Sequence, residues 1–381
     1  MYLLEPPPDV GLQDWNSWAW QSKNSLRTLE DFSKYFELSD EEIRAFSSPQ
    51  FKIQVTPYYA KLADKKNPQD PIRKILLPSI KEYQSDFQQM LDPLGENQNR
   101  PHPRIIHRYP DRLLFLVTDY CSVYCRYCTR KHFTAKDQVF IKKSEYQTAL
   151  EYIENNKNIR EVILSGGDPL TLSNNKLFQV IEDIYKIKHV DLIRIGTRMP
   201  VVAPMRIERE LVEGLKKFHP IYFMLHFNHP REVTQQSAEA LTLLADNGFP
   251  MFNQMVFLNG VNNHPVIVKA LSRRLLKLRV KPYYMFQCDP SEGTDHLRTS
   301  VENSLEVQKA LWGKLSGLAM PNLSLDIPGG GGKVGFVPNF ETHQEGRTRY
   351  YRGWDGIEGE YISPSENNIL IPIDVDQYRD S

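Results

Sequence analysis

Thr118-Asp119-Tyr120-Cys121-Ser122-Val123-Tyr124-Cys125-Arg126-Tyr127-Cys128-Thr129-Arg130 places three thiols within eight residues, immediately after the strand-like run Leu113 to Val117. Soft ligands packed that closely point to an iron–sulfur cluster or zinc. With no fourth protein ligand nearby, a cluster held here keeps one iron open to a ligand that is not protein. Two plainer readings stand beside it: free cysteines as small buried hydrophobes, and a structural zinc closed by a distant fourth ligand. The only other cysteine is Cys288.

Outward from this stretch a regular rhythm appears. Strand-like apolar runs start near Leu113, Glu161, Asp191, Ile221, Met251 and Lys281, the last five about thirty residues apart, which is the length of a βαβ unit. Helix-period segments lie between and after them: Ser144 to Glu154, Asn174 to Ile187, Glu208 to Phe218, Arg231 to Asn247 and His264 to Leu278. Strand then helix, repeated, implies parallel strands joined by right-handed crossovers, so the expected fold class is α/β, a partial (β/α)6 barrel. Reactive groups in such barrels gather at the C-terminal ends of the strands. Cys121, Ser165, Gly166, Gly167, Asp168, Arg198, His226 and Asp289 fall at those positions, and Gln254 sits within its strand-like run.

Residues 1–100 read as an N-terminal helical region. Trp15 to Leu26 carries aromatics at near-helical spacing, Ser39-Asp40-Glu41-Glu42 has a capping-box pattern, and Thr56-Pro57 offers another helix start. Trp15, Trp18 and Trp20 read as packing residues. Asp92 to Pro103 reads as the linker into a barrel spanning 101–320. Val301 to Ala319 reads as one more helix. A C-terminal segment, 321–381, then opens with Asp326-Ile327-Pro328-Gly329-Gly330-Gly331-Gly332-Lys333, and Asn367 to Ile373 reads as part of a β-rich tail. The glycine run fails as a phosphate loop, because Val334 follows the lysine where Ser or Thr is needed.

Composition narrows the classes. The chain has 381 residues with 47 basic and 47 acidic side chains, so it lacks the one-sided positive field of a nucleic-acid binder. No run of about eighteen apolar residues and no signal-like N-terminal stretch is present, so no membrane partner is expected. Four cysteines are too few for a disulfide framework, and a labile cluster needs a reducing compartment; the expected location is the cytoplasm.

The spacing Cys-x3-Cys-x2-Cys, with Tyr127 before the last cysteine, resembles the signature of radical S-adenosylmethionine (SAM) enzymes. Taken with Trp15 to Trp18, His107 to Arg112, Ser165 to Leu170, Gly196 to Pro200, His226 to Pro230 and Asp326 to Lys333, the chain resembles the lysine 2,3-aminomutase family over nearly its whole length. That resemblance implies a 4Fe-4S cluster, SAM and pyridoxal 5′-phosphate (PLP) as cofactors, and an isomerase that moves an amino group between neighbouring carbons of an amino acid. It also implies an external one-electron reductant of the flavodoxin or ferredoxin type.

Carried over residue by residue, the resemblance makes Cys121, Cys125 and Cys128 cluster ligands and Lys333 the catalytic lysine that carries PLP. Arg108, Tyr109 and Arg112 match positions around the PLP phosphate, where guanidinium groups suit the charge. Asp168, His226 and Gln254 match the SAM pocket, with Ser165, Gly166 and Gly167 beside the SAM amino group. Arg130 matches the arginine for the substrate carboxylate, and Asp289 and Asp326 the aspartates for the side-chain ammonium. Two acids there favour L-lysine over glutamate, while arginine, ornithine and the β-lysine-forming enzyme of elongation factor P modification stand as alternatives. A non-catalytic cluster or zinc scaffold would not need Arg130, Lys333, Asp289 and Asp326 together. One departure stands out: a family zinc site is not expected, because its internal position is His264 and the tail from Gly335 lacks cysteine. A zinc-tied tetramer is then not expected either, which leaves a dimer through the N-terminal helices open.

Overall fold

Seven parallel strands and two antiparallel edges make up the sheet of the computed structural model, which describes residues 1–84, 89–134, 139–365 and Val375. The strands are β1 (Ile105–Tyr109), β2 (Arg112–Thr118), β3 (Glu161–Gly166), β4 (Leu192–Thr197), β5 (Ile221–Leu225), β6 (Met251–Phe257), β7 (Val280–Gln287), β8 (Asn322–Ile327) and β9 (Gly332–Gly335). They pair in chain order, β2 to β8 all parallel, with β1 antiparallel to β2 and β9 antiparallel to β8. The six expected strands are β2 to β7. The expected partial barrel is therefore present, lengthened by β8, which belongs to the sheet rather than to a separate C-terminal segment.

Alternation along each strand explains how the sheet encloses a site. In β6, Met251, Asn253, Met255 and Phe257 are buried, while Phe252, Gln254 and Val256 are half-buried. The first set is covered from outside, and Gln254 and Val256 line a cavity of about 1420 Å³ within the curve of the sheet. The outer cover is helical: in the helix Asn174–Tyr185 the buried residues Leu177, Val180, Ile181 and Ile184 form one stripe at i, i+3, i+4, i+7.

The sheet does not close through its backbone. β1 and β9 are its two edges, and side chains join them: the Lys333 N–H donates to the Tyr109 hydroxyl at 3.0 Å, and Arg108 Nε donates to the Gly330 carbonyl at 2.8 Å.

The N-terminal helices are laid onto this barrel. Ser39 caps the helix Asp40–Ser47, accepting from Glu42 N–H while the Glu42 carboxylate accepts from Ser39 N–H at 2.8 Å. Thr56 caps Pro57–Ala60, as its Thr-Pro pair predicts. Trp15 is 1% exposed and shares one apolar core with Tyr58, Tyr59, Leu164 and Ile195, and Trp18 and Trp20 pack on it.

Three expectations are corrected. Trp15 to Leu26 is not one helix: Leu12–Trp15 and Trp18–Lys23 are separate, because Ser17 turns extended and caps the second. The helix from Val301 ends at Leu311 rather than Ala319, since Trp312 leaves the helical region and Gly313 has φ +71°. Asp92 to Pro103 is no mere linker; its residues pack on the cavity mouth, as described below. Beyond β9, strands Glu341–Glu345, Thr348–Arg352 and Glu358–Ile362 form a small antiparallel sheet. The expected tail strand at Asn367 to Ile373 lies outside the described residues. Among those residues no helix is long and apolar enough to cross a membrane.

Candidate functional site

β2 feeds directly into the cysteine loop, and Cys121, Cys125 and Cys128 all line the cavity. The loop is held from behind. Arg126 and Glu82, each about 1% exposed, form an ion pair, and Arg126 Nη1 also donates to the Lys52 carbonyl at 3.1 Å. Gln54 Nε2 donates to the Cys121 carbonyl at 2.8 Å. Two donors reach the sulfurs: Arg198 Nη1 to Cys125 Sγ at 2.7 Å and the Arg130 N–H to Cys128 Sγ at 3.4 Å. Burial, and then the neighbouring thiols, push the Cys121 and Cys128 thiols up. Cys288 is buried beside Tyr127, Leu258 and Val261 in a small apolar cluster and serves there as a hydrophobe.

The Ser165–Asp168 turn abuts the start of that loop. Gly167 N–H donates to the Thr118 carbonyl at 2.6 Å and Asp168 N–H to the Tyr120 carbonyl at 2.9 Å. Gly166 has φ +113°, and a Cβ there would stand 2.2 Å from the Thr118 oxygen, so only glycine permits this approach. Asp168 borders the cavity, but its carboxylate is taken up within the protein: it accepts from Leu170 N–H (3.0 Å), the Thr197 hydroxyl (2.8 Å) and Arg198 N–H (2.7 Å). It ties the end of β3 to the end of β4. His226 borders the cavity as well, 3.0 Å from the Tyr127 hydroxyl and stacked on that ring. Burial and then the Arg198 charge lower its pKa to about 3, which keeps the imidazole neutral. Gln254 projects from β6 into the same space.

Across the cavity Lys333 hangs from β9. Its Nζ lies 3.1 and 3.3 Å from the two oxygens of Asp326 and 4.6 Å from the centre of the Phe286 ring. Asp289 stands at the end of β7, where burial and then the Asp326 charge raise its pKa to about 7. Arg108, Tyr109 and Arg112 border this region; Arg112 stacks on Tyr109 at 4.0 Å and pairs with Asp111 at 2.6 Å. Arg130 lies between the cysteines and the lysine. Its Nε donates to Glu96 at 2.7 and 3.0 Å, and its Nη1 approaches the Ser165 hydroxyl at 3.3 Å. Burial pulls the Arg130 pKa down, but Glu96, with Cys128 and Asp326 behind it, leaves it raised.

All the residues expected from the sequence thus border one cavity. Sequence reading misses Glu96, the cavity-lining cations Arg194 and Lys281, and the contact of Arg198 with Cys125. Arg198 carries a signal in its strand-end position; Glu96 carries none, because nothing in a polar, Gly- and Pro-containing stretch announces an arginine partner far along the chain. His264 caps the helix Pro265–Lys277, its Nδ1 accepting from Val266 N–H at 3.3 Å.

Comparison with known proteins gives the arrangement a family. The Radical SAM superfamily model matches residues 115–268, and a model described as Lysine-2,3-aminomutase matches residues 308–381. An L-lysine 2,3-aminomutase of Acetoanaerobium sticklandii is 42% identical over 368 residues, covering 96% of this chain and 89% of the relative. One from Clostridium subterminale is 42% identical over 93% of this chain and 86% of its own length. The chain belongs to the lysine 2,3-aminomutase family.

It is therefore a radical SAM aminomutase, an isomerase, with a 4Fe-4S cluster and SAM among its cofactors. The residues present fit the cluster: three thiols face one cavity, and hydrogen-bond donors aim at two of the sulfurs. They also fit an aldehyde cofactor with a phosphate, since an amine and several guanidinium groups share that cavity. Membership of the family does not fix the substrate. A glutamate 2,3-aminomutase of Clostridioides difficile is 39% identical over 90% of this chain and 82% of its own length.

Proposed function

We propose that the protein interconverts L-lysine and β-lysine. SAM at the cluster supplies the hydrogen-abstracting radical, and PLP carries the migrating amine. In this reading Cys121, Cys125 and Cys128 hold the cluster, with Ser165, Gly166, Gly167, His226 and Gln254 around SAM. Asp168 acts there by fixing the turn. Lys333 anchors PLP, and Arg108, Tyr109 and Arg112 face its phosphate. Arg130 takes the substrate carboxylate, and Asp289 with Asp326 takes the far ammonium.

One observation carries the substrate reading. Asp326 already holds an alkylammonium, the Nζ of Lys333, with Asp289 close enough to feel its charge. Once that amine is engaged elsewhere, the acid pair is left facing the cavity, and a lysine side chain brings the matching cation. A buried ammonium without such partners would cost several kcal/mol, and a second carboxylate brought to this pair would be repelled.

The test is anaerobic turnover by reconstituted protein with SAM, PLP, dithionite and, separately, L-lysine, arginine, ornithine and glutamate. Turnover of L-lysine is expected. Efficient turnover of glutamate with L-lysine inert would overturn the assignment.

A pH dependence follows from Asp289. Its carboxyl must be ionised to hold the cation, and burial and then the Asp326 charge raise its pKa to about 7. Below that value kcat/KM for L-lysine should fall about tenfold per pH unit, because kcat/KM reports the free enzyme. Asp289→Asn should flatten this acid limb. An unchanged limb in the variant would exclude Asp289 as its source.

A further inference from the structure

Residues 89–100 lie as a strap over three parts of the site. Met90 N–H donates to the Pro290 carbonyl at 2.8 Å and Glu292 N–H to the Met90 carbonyl at 3.1 Å, which binds one end to the turn that carries Asp289. Farther along, Gly329 N–H donates to the Pro93 carbonyl at 2.9 Å, and a Cβ on Gly330 would stand 3.3 Å from Gly95 Cα, so the strap rests on the loop that leads to Lys333. Asp92 folds the strap onto itself, accepting from the Glu96 and Asn97 N–H groups, both at 2.9 Å. The fold so fixed delivers Glu96, 9% exposed, to the Nε edge of Arg130.

We propose that Glu96 is a positioning residue that keeps the two charged poles of the substrate site apart. This deepens the reading of the site as one for a cationic amino acid and rests on it. Arg130 and Asp326 border the same cavity, and the Asp326 charge is among those that favour the charged guanidinium. Without a counter-charge behind it, the guanidinium would be drawn toward Asp326, and the protein would neutralise its own carboxylate anchor with its own ammonium anchor. Glu96 answers Arg130 on the Nε side and leaves Nη1, beside the Ser165 hydroxyl, as the corner that receives a carboxylate.

The experiment compares L-lysine with L-lysinamide, which keeps both amines and lacks the carboxylate. Binding is read in holoenzyme from the change in visible PLP absorbance on titration, beside KM and kcat for L-lysine. In Glu96→Gln the preference for acid over amide should fall about tenfold, and KM should rise more than kcat falls. A purely structural role would weaken both ligands equally, so an unchanged preference overturns the proposal. If Glu96→Gln loses cluster iron or PLP, the same ratio is read in Glu96→Asp, which keeps the charge on a shorter stem. Cofactor loss in both variants would make Glu96 a scaffold residue and overturn the proposal too. Wild-type protein is titrated first with lysine, glutamate and their amides. A response confined to glutamate and its amide fails the substrate reading, and Glu96 is then judged by the same acid-to-amide ratio in that pair.

Discussion

Lys333→Ala should leave a brown, cluster-bearing protein without the PLP absorbance band and with turnover reduced at least about a thousandfold. A lost covalent anchor forfeits much of the orientation on which such a reaction depends. The fold has little reason to respond. Lys333 is exposed on an edge strand, and its main-chain bond to the Tyr109 hydroxyl does not need the side chain. Its main side-chain partner is Asp326, so the substitution also leaves two neighbouring acids without their internal cation. Absorbance spectra and iron analysis of the purified variant check the first part, and anaerobic turnover the second. A variant that keeps both the band and its turnover would remove Lys333 from the mechanism.

Asp326→Asn should lower kcat/KM for L-lysine by about two to three orders of magnitude, the scale for removing one partner of a buried charge pair. The amide keeps the shape and a hydrogen-bonding oxygen, so the loss reports the charge. It should fall on L-lysine far more than on 2-aminohexanoate, the analogue that ends in a methyl group. An equal effect on the two would mean that Asp326 serves Lys333 rather than the substrate.

Much of this arrangement is legible in the order of the amino acids. The period of strand and helix gives β2 to β7, and the polar residues that interrupt each apolar run fall at the strand ends, where they meet. What escapes is of two kinds. Local breaks such as Asn16-Ser17 and Gly313 end helices because one residue takes a non-helical conformation, and a periodicity that runs across them hides the stop. β8 is a third instance of the local kind. Asn322 to Ile327 alternates well enough for a strand, but the glycine run behind it reads as a change of pattern. Long-range pairs are the other kind. Glu96 with Arg130 and Arg198 with Cys125 each join segments that share no pattern. Composition marks such residues only as polar, and the fold alone decides which cation meets which anion.

The junction of β1 with β9 bears on how large molecules reach the interior. Between any two adjacent strands from β1 to β9, opening the wall would break a ladder of main-chain bonds, whereas the described contacts of Tyr109 and Arg108 with the last hairpin are few and partly exposed. Breathing motions concentrate where the fewest cooperative bonds must be broken. The weakest stave of this cask is therefore the one from which Lys333 hangs, and a bulky guest arriving sideways would meet its amine at the threshold.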